Sequence, residues 1–185
     1  MADNNRGRYT AVAISLHWLV FALVLAAWSL GLYMVDLPLS PQKLKYFSWH
    51  KWIGVTIFLF ATARLAGRFV HPAPPLPLSV PAWQRSAAYV SYALLYVLIL
   101  AIPISGWLFS SASGVPVVYF GELPLPNPVE KDKELAEFLK QIHIFLNWTL
   151  FVIVCVHVLA ALKHHIVDRD DVLARMLPII KPRRE

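Results

Sequence analysis

The sequence predicts an all-α integral membrane protein, a four-helix bundle, on three observations. Hydrophobic residues make up 58% of the 185-residue chain and charged residues only 15%, an apolar share beyond that of ordinary soluble domains. Four apolar stretches, at about residues 11–35, 49–69, 87–112 and 139–162, can each cross a hydrocarbon core of roughly 30 Å, which takes about 20 helical residues. Histidines recur within or at the heads of these stretches, at His17, His50, His143 and His157. A titratable ring at such depth is costly and marks a functional site by default. With no internal repeat or low-complexity tract, residues 1–185 read as one transmembrane domain.

The first stretch follows Arg6 and Arg8 and runs from Ala11 to Val35, too long for the apolar region of a secretory signal, so a retained helix is expected. The second opens at His50 and closes on Arg64 and Arg68. The connection from His71 to Pro81 holds five prolines, which remove donors and restrain their predecessors, and predicts a stiff extended strap. Pro103 with Gly106 after it predicts a kink in the third helix. Residues 113–138 are rich in glycine and proline before a charged run, Glu130 to Lys140, that reads as a solvated helical lead-in to the fourth span. Residues 166–180 mix acids and bases with Val172, Leu173, Met176 and Leu177, and predict a short amphipathic helix on the membrane surface. Trp18, Trp49, Trp52, Trp83, Trp107 and Trp148 fit interface belts or packing against a bound ring system.

With both termini on one side, eleven lysines and arginines fall on that side and six on the other, which places the termini in the cytoplasm. The net charge of +6 is therefore a topology signal and carries no nucleic-acid footprint. The lone Cys155 excludes a disulfide framework or a four-cysteine iron–sulfur site within the chain.

Geometry decides which histidines pair. His143 and His157 lie 14 residues apart, about 21 Å of rise and four turns less roughly 40°, so they look inward from nearly one face at two depths. Helix direction then matches His17 with His157 near the cytoplasmic side and His50 with His143 near the outer side. Each pair suits the two axial positions of an iron held inside a bundle. Zinc, the rival metal, wants four ligands, and no cysteine or carboxylate lies near these histidines at depth. Structural histidines hydrogen-bonded across helices are the bland alternative. Arg64, 14 residues after His50, should sit at the cytoplasmic level, where a propionate or a quinone oxygen would find a fixed cation. Arg68 reads as a snorkelling arginine at a helix end, and His71 and His165 as surface residues.

Ile14-Ser15-Leu16-His17-Trp18-Leu19-Val20-Phe21, the His50–Arg64 and His143–His157 spacings, Pro103 to Gly106, His164-His165 and the run from Asp171 to Pro178 resemble the bacterial cytochrome b561 family, and within it most the superoxide oxidase type. The resemblance covers residues 9–178. It implies a multi-pass bacterial inner-membrane protein holding two b haems, on His17 and His157 inside and on His50 and His143 outside. The implied reaction is oxidation of superoxide to O2 at the periplasmic face, with electrons passed to ubiquinone.

Lys43, Lys45, Lys51 and Lys140 near the outer histidines are compatible with electrostatic steering of that anion, Lys51 most directly, though they also fit ordinary solvated loops. For the quinone, His164 lies seven residues after His157, and Ser15 two residues before His17; a hydroxyl and an imidazole could bond its carbonyls. The alternative is an electron-transfer subunit exchanging electrons between the quinone pool and a periplasmic redox protein. Membrane lipid is the expected surrounding, and nucleic acid is not an expected partner.

Overall fold

Thr10, Ser40 and Asp132 start three of the four long helices, each turning a side-chain oxygen onto the free N–H groups of a first turn: Ala13 at 3.2 Å, Lys43 at 3.2 Å, and Glu134 and Leu135 at 2.8 and 3.0 Å. In the computed structural model, which describes residues 9–77, 80–177 and 179–180, these are α1 (Ala11–Val35), α2 (Pro41–Val70) and α4 (Lys133–Lys163). The remaining long helix, α3 (Ala82–Ala112), starts after Pro81 and runs through Pro103. Arg6, Arg8, Lys181, Arg183 and Arg184, which enter the charge count, lie outside the described residues.

All four helices are long and apolar enough to cross a membrane. α2, α3 and α4 begin five to ten residues before the apolar stretches that announced them. At 1.5 Å per residue α2 is about 45 Å long, so polar turns project beyond the hydrocarbon. The chain packs as α1 on α2, α2 on α3 and α3 on α4. α1 and α4 are joined by aromatic rings: Trp28 meets Trp148 at 5.1 Å and stacks on Phe151 at 5.3 Å.

Large apolar side chains point outward along the spans, with Leu59 and Val97 more than half exposed, as a lipid-facing surface requires. Buried apolar residues are scattered along the helices, at Val20, Ile57, Leu98 and Leu150 among others, and Ala112, Ala136 and Leu139 cluster at one end against Leu108 and Phe109. There the Asp132 N–H donates to the Ala112 carbonyl at 2.9 Å, tying the start of α4 to the end of α3.

The 113–138 connection contains a small antiparallel hairpin, β1 (Val118–Tyr119) and β2 (Leu123–Pro124), turned by Phe120 and Gly121 at φ 51° and 80°. The Trp52 indole donates to the Val118 carbonyl at 2.7 Å, Trp107 donates to Pro126 at 3.0 Å, and Thr56 shares a 3.0 Å bond with the Tyr119 hydroxyl. These bonds hold the hairpin over the ends of α2 and α3.

At the opposite end, the expected amphipathic helix over 166–180 does not form as one element. α4 runs into a π-helical turn (His164–Asp168), Arg169 takes a left-handed conformation at φ 56°, and only Leu173–Arg175 forms a 3₁₀ turn. Local side-chain bonds win over helix continuation: His164 Nδ1 lies 2.6 Å from an Asp170 carboxylate oxygen, whose partner oxygen accepts the Val172 N–H at 3.0 Å. Over its described residues the proline-rich strap is non-helical as expected, and Arg175 donates to its Pro75 carbonyl at 2.6 Å.

Candidate functional site

Two pairs of imidazoles face each other across the bundle. His17 on α1 and His157 on α4 have ring centroids 6.4 Å apart with planes at 64°; His50 on α2 and His143 on α4 stand 6.3 Å apart at 81°. α4 contributes one ring to each layer, and α1 and α2, running in opposite directions, contribute the other two.

Local chemistry fixes the pair nearer the hairpin end. His50 Nδ1 donates to the Ala27 carbonyl at 3.1 Å, and His143 Nδ1 donates to the Ile102 carbonyl at 3.1 Å with the Ser105 hydroxyl at 3.0 Å. A carbonyl can only accept, so Nδ1 carries the proton in both rings and Nε2 keeps its lone pair. That is the tautomer and orientation in which second-shell bonds hold a metal-ligating histidine. Glycines make room for the rings. A Cβ on Gly31 would fall 3.3 Å from His50 Cε1, and one on Gly106 would fall 3.1 Å from His143 Cε1. In the other pair, Trp18 sits edge-on to His17 at 5.3 Å and Tyr92 to His157 at 6.1 Å.

The separations suit one metal ion between each pair. Metal–imidazole bonds of about 2.0 Å, with each nitrogen just over 1 Å from its ring centre, put the centroids roughly 6.3 Å apart. Direct hydrogen bonding between two rings would hold them closer. The two-imidazole donor set, with no described thiolate or carboxylate beside it, fits a planar macrocycle that fills the other four positions of an iron.

Arg64 and Arg68 lie one helical turn apart at the opposite end, where α2 finishes. Arg64 stacks over Tyr96 at 5.4 Å, and Arg68 over Tyr92 at 5.7 Å and Tyr96 at 6.0 Å. Arg68 is therefore not the snorkelling residue its position suggested; it turns inward because two tyrosines one helical turn apart offer it their faces. Both arginines line a cavity of about 530 Å³, with Leu16, Gly67 and His71 among its other walls. His71, expected as a plain surface residue, borders it.

The structure does not gather Ser15 and His164 around this cavity. Ser15 is exposed, because two helical residues are about 200° of rotation and place it away from His17's face. His164 is engaged by Asp170 at 2.6 Å and Asp168 at 3.2 Å.

All four outer lysines have structural contacts. Lys43 Nζ donates to the Val35 and Leu37 carbonyls at the end of α1, Lys45 sits over the Trp49 ring at 5.0 Å, and Lys140 pairs with Glu137 at 3.2 Å. Lys51, next to His50 in the chain, reaches the Val115 carbonyl at 3.3 Å below the hairpin. Gly31, Ser105, Tyr9 and Tyr92 were not singled out from the sequence, and Gly106 was marked there only with Pro103, as a kink and as part of the family resemblance. The signal for the tyrosine was present: Tyr92 and Tyr96 share a helix face, as do Arg64 and Arg68.

Comparison with known proteins places this geometry. The family described as "Prokaryotic cytochrome b561" matches residues 8–178. "Cytochrome b561 homolog 2" of Escherichia coli (strain K12) is 36% identical over 182 residues, 94% of this chain and 93% of that protein. "Probable superoxide oxidase CybB" of Yersinia pestis is 31% identical over 176 residues, 92% of this chain and 96% of that protein. "Cytochrome b561 homolog 1" of Escherichia coli (strain K12) is 27% identical over 172 residues.

Proposed function

The chain belongs to the prokaryotic cytochrome b561 family, multi-pass electron-transfer proteins of the bacterial inner membrane with b-type haem, and from that premise we propose that it is a di-haem superoxide:ubiquinone oxidoreductase with both termini cytoplasmic. The observation that carries the reading is the pair of imidazole layers, 6.4 and 6.3 Å between ring centres, at two depths of one bundle. His17 and His157 would hold an inner haem and His50 and His143 an outer one, and each bound haem would supply one-electron redox chemistry. Arg64 is the cation for an inner propionate.

Superoxide is the donor that the likeness to the Yersinia pestis protein favours, and the exposed part of Lys51 beside the outer pair suits an anion's approach. The electron count closes: two superoxide anions lose one electron each and leave as O2, and one ubiquinone takes two electrons and two protons to become ubiquinol. The chain's own residues hold the outer imidazoles in their ligating tautomer through Ala27, Ile102 and Ser105, and Trp52 and Trp107 pin the hairpin segment to the same end of the bundle.

The test is a stopped-flow mix of the oxidised holoprotein with superoxide. Haem reduction at a rate approaching the diffusion limit is expected, and its absence would leave a partner-fed cytochrome. One observation favours that second reading: Phe120 and Leu123 on the hairpin and Val115 just before it are each more than half exposed, an apolar surface beyond the end of α3.

A further inference from the structure

α3 and α4 meet along two seams of seven-residue period that run in opposite directions. On α3, Leu98, Ser105 and Ala112 are buried at that interval; on α4, Ala136 and Leu150 are buried, with His143 midway between them and His157 seven residues beyond. Seven residues are two turns less about 20°, a drift that two helices winding left-handed around each other take up, so residues at this interval stay on one seam. Ala112 packs in one cluster with Ala136. One step along, the Ser105 hydroxyl meets His143 Nδ1 at 3.0 Å. The next step sets Leu98 opposite Leu150, and the one after sets Ser91 opposite His157. Contacts beyond keep that register: the Tyr92 ring lies 6.1 Å from the His157 ring, and Lys163 Nζ donates to Gln84 Oε1 at 3.3 Å.

Building on the proposed di-haem reading, on which this inference rests, we infer that Ser91 is the positioning residue of the inner ligand His157, its hydroxyl accepting a hydrogen bond from the ring's Nδ1–H as the Ser105 hydroxyl does from His143.

Both groups are in need of such a bond. Among the described residues, the Ser91 hydroxyl is the one buried side-chain oxygen or nitrogen without a hydrogen-bond partner. A serine inside a helix commonly turns its hydroxyl onto a carbonyl one turn back, as Ser105 does onto Ile102 at 2.8 Å, and Ser91 leaves that bond unmade. Among the described residues the His157 ring has no hydrogen-bond partner either, whereas His50 and His143 each have a backbone carbonyl at Nδ1. A metal-ligating imidazole almost always sets its second N–H on an acceptor, which fixes the tautomer and makes the ligating nitrogen more basic. An acceptor without a donor and a donor without an acceptor thus occupy matching places on one seam, two heptads from the place where the same two residue types are already bonded.

The test is a redox titration of haem-loaded protein in lipid nanodiscs, with the inner haem assigned as the one missing from His157→Ala. A more basic ligand favours oxidised iron, so Ser91→Ala should raise the inner haem's affinity for an electron about tenfold, or about 59 mV for a one-electron couple, and leave the other haem unmoved. Ser91→Thr, which keeps the hydroxyl, should restore the wild-type potential. In solid-state NMR of the reduced, diamagnetic wild type with isotope-labelled histidine and serine, the His157 Nδ1 proton should show a through-space contact with the Ser91 β-protons. An unmoved inner potential in Ser91→Ala, an equal shift at both haems, or absence of the His157–Ser91 contact would overturn the assignment while leaving two haems in place. A shifted potential with an altered pH dependence and no such contact would make the hydroxyl a propionate's partner, and overturn it equally. A wild type that binds no haem would overturn the di-haem reading itself. Should Ser91→Ala lose the inner haem, Ser91→Thr and the wild-type contact decide.

Discussion

Gly106 on α3 and His143 on α4 meet so closely that a methyl group on the glycine would lie 3.1 Å from the imidazole Cε1 and 3.3 Å from Nδ1. Backbone and ring fit as notch and key, and the Ile102 carbonyl one turn earlier accepts the hydrogen bond of the ring's Nδ1–H.

Gly106→Ala should therefore push the His143 ring off its seat and destabilise the protein by about 1–3 kcal/mol through overpacking. Gly54→Ala is the control. Nothing lies within 4 Å of its added Cβ, and replacing a mid-helix glycine should stabilise by about 0.5–1 kcal/mol. Thermal melts of the holoprotein, with the visible spectrum of each variant, make the comparison. Equal behaviour of the two variants would refute the notch.

His157→Ala should abolish one haem and spare the other, and His50→Ala should do the converse, read as haem-to-protein ratio after purification. Retention of both haems in either variant would break the pairing.

Ser105→Ala removes one of the two contacts at His143 Nδ1, leaving the Ile102 carbonyl as acceptor. A loss of about 0.5–1.5 kcal/mol is expected, with the reduction potential of a single haem altered in a redox titration. A shift in both potentials, or in neither, would count against Ser105 as a positioning residue for the outer ring.

Lys51→Glu should slow reduction by superoxide about two- to tenfold at low ionic strength and much less at high salt, since steering is screened. Lys43→Glu should chiefly cost stability, because Lys43 caps the α1 carbonyls at Val35 and Leu37. An unchanged low-salt rate for Lys51→Glu would remove that lysine from the approach path.

Much of the fold was legible because hydropathy over 20-residue windows directly measures what a bilayer demands. The 14-residue interval between His143 and His157 likewise encoded two depths on one face. The polar turns that open α2 were hidden, since Gln42 and Lys43 look like loop residues by hydropathy and only the cap at Ser40 announces the helix, whereas the charged run from Glu130 to Lys140 did announce the first turns of α4. The hairpin left little trace: its strands are two residues each, and its turn places Phe120, not the expected asparagine or glycine, at positive φ. Joining Ser15 with His164 at a quinone took account of height along the helices and not of rotation about them, and Tyr92 and Tyr96 went unmarked until the arginines were seen stacked on them.

One helix carries a ring of each layer, and this makes α4 a ruler. A single residue inserted between positions 143 and 157 would swing one imidazole about 100° away from its mate while leaving the other undisturbed. A length change that keeps both layers must therefore fall outside that interval, and any tilt of α4 within the bilayer is felt at both levels at once.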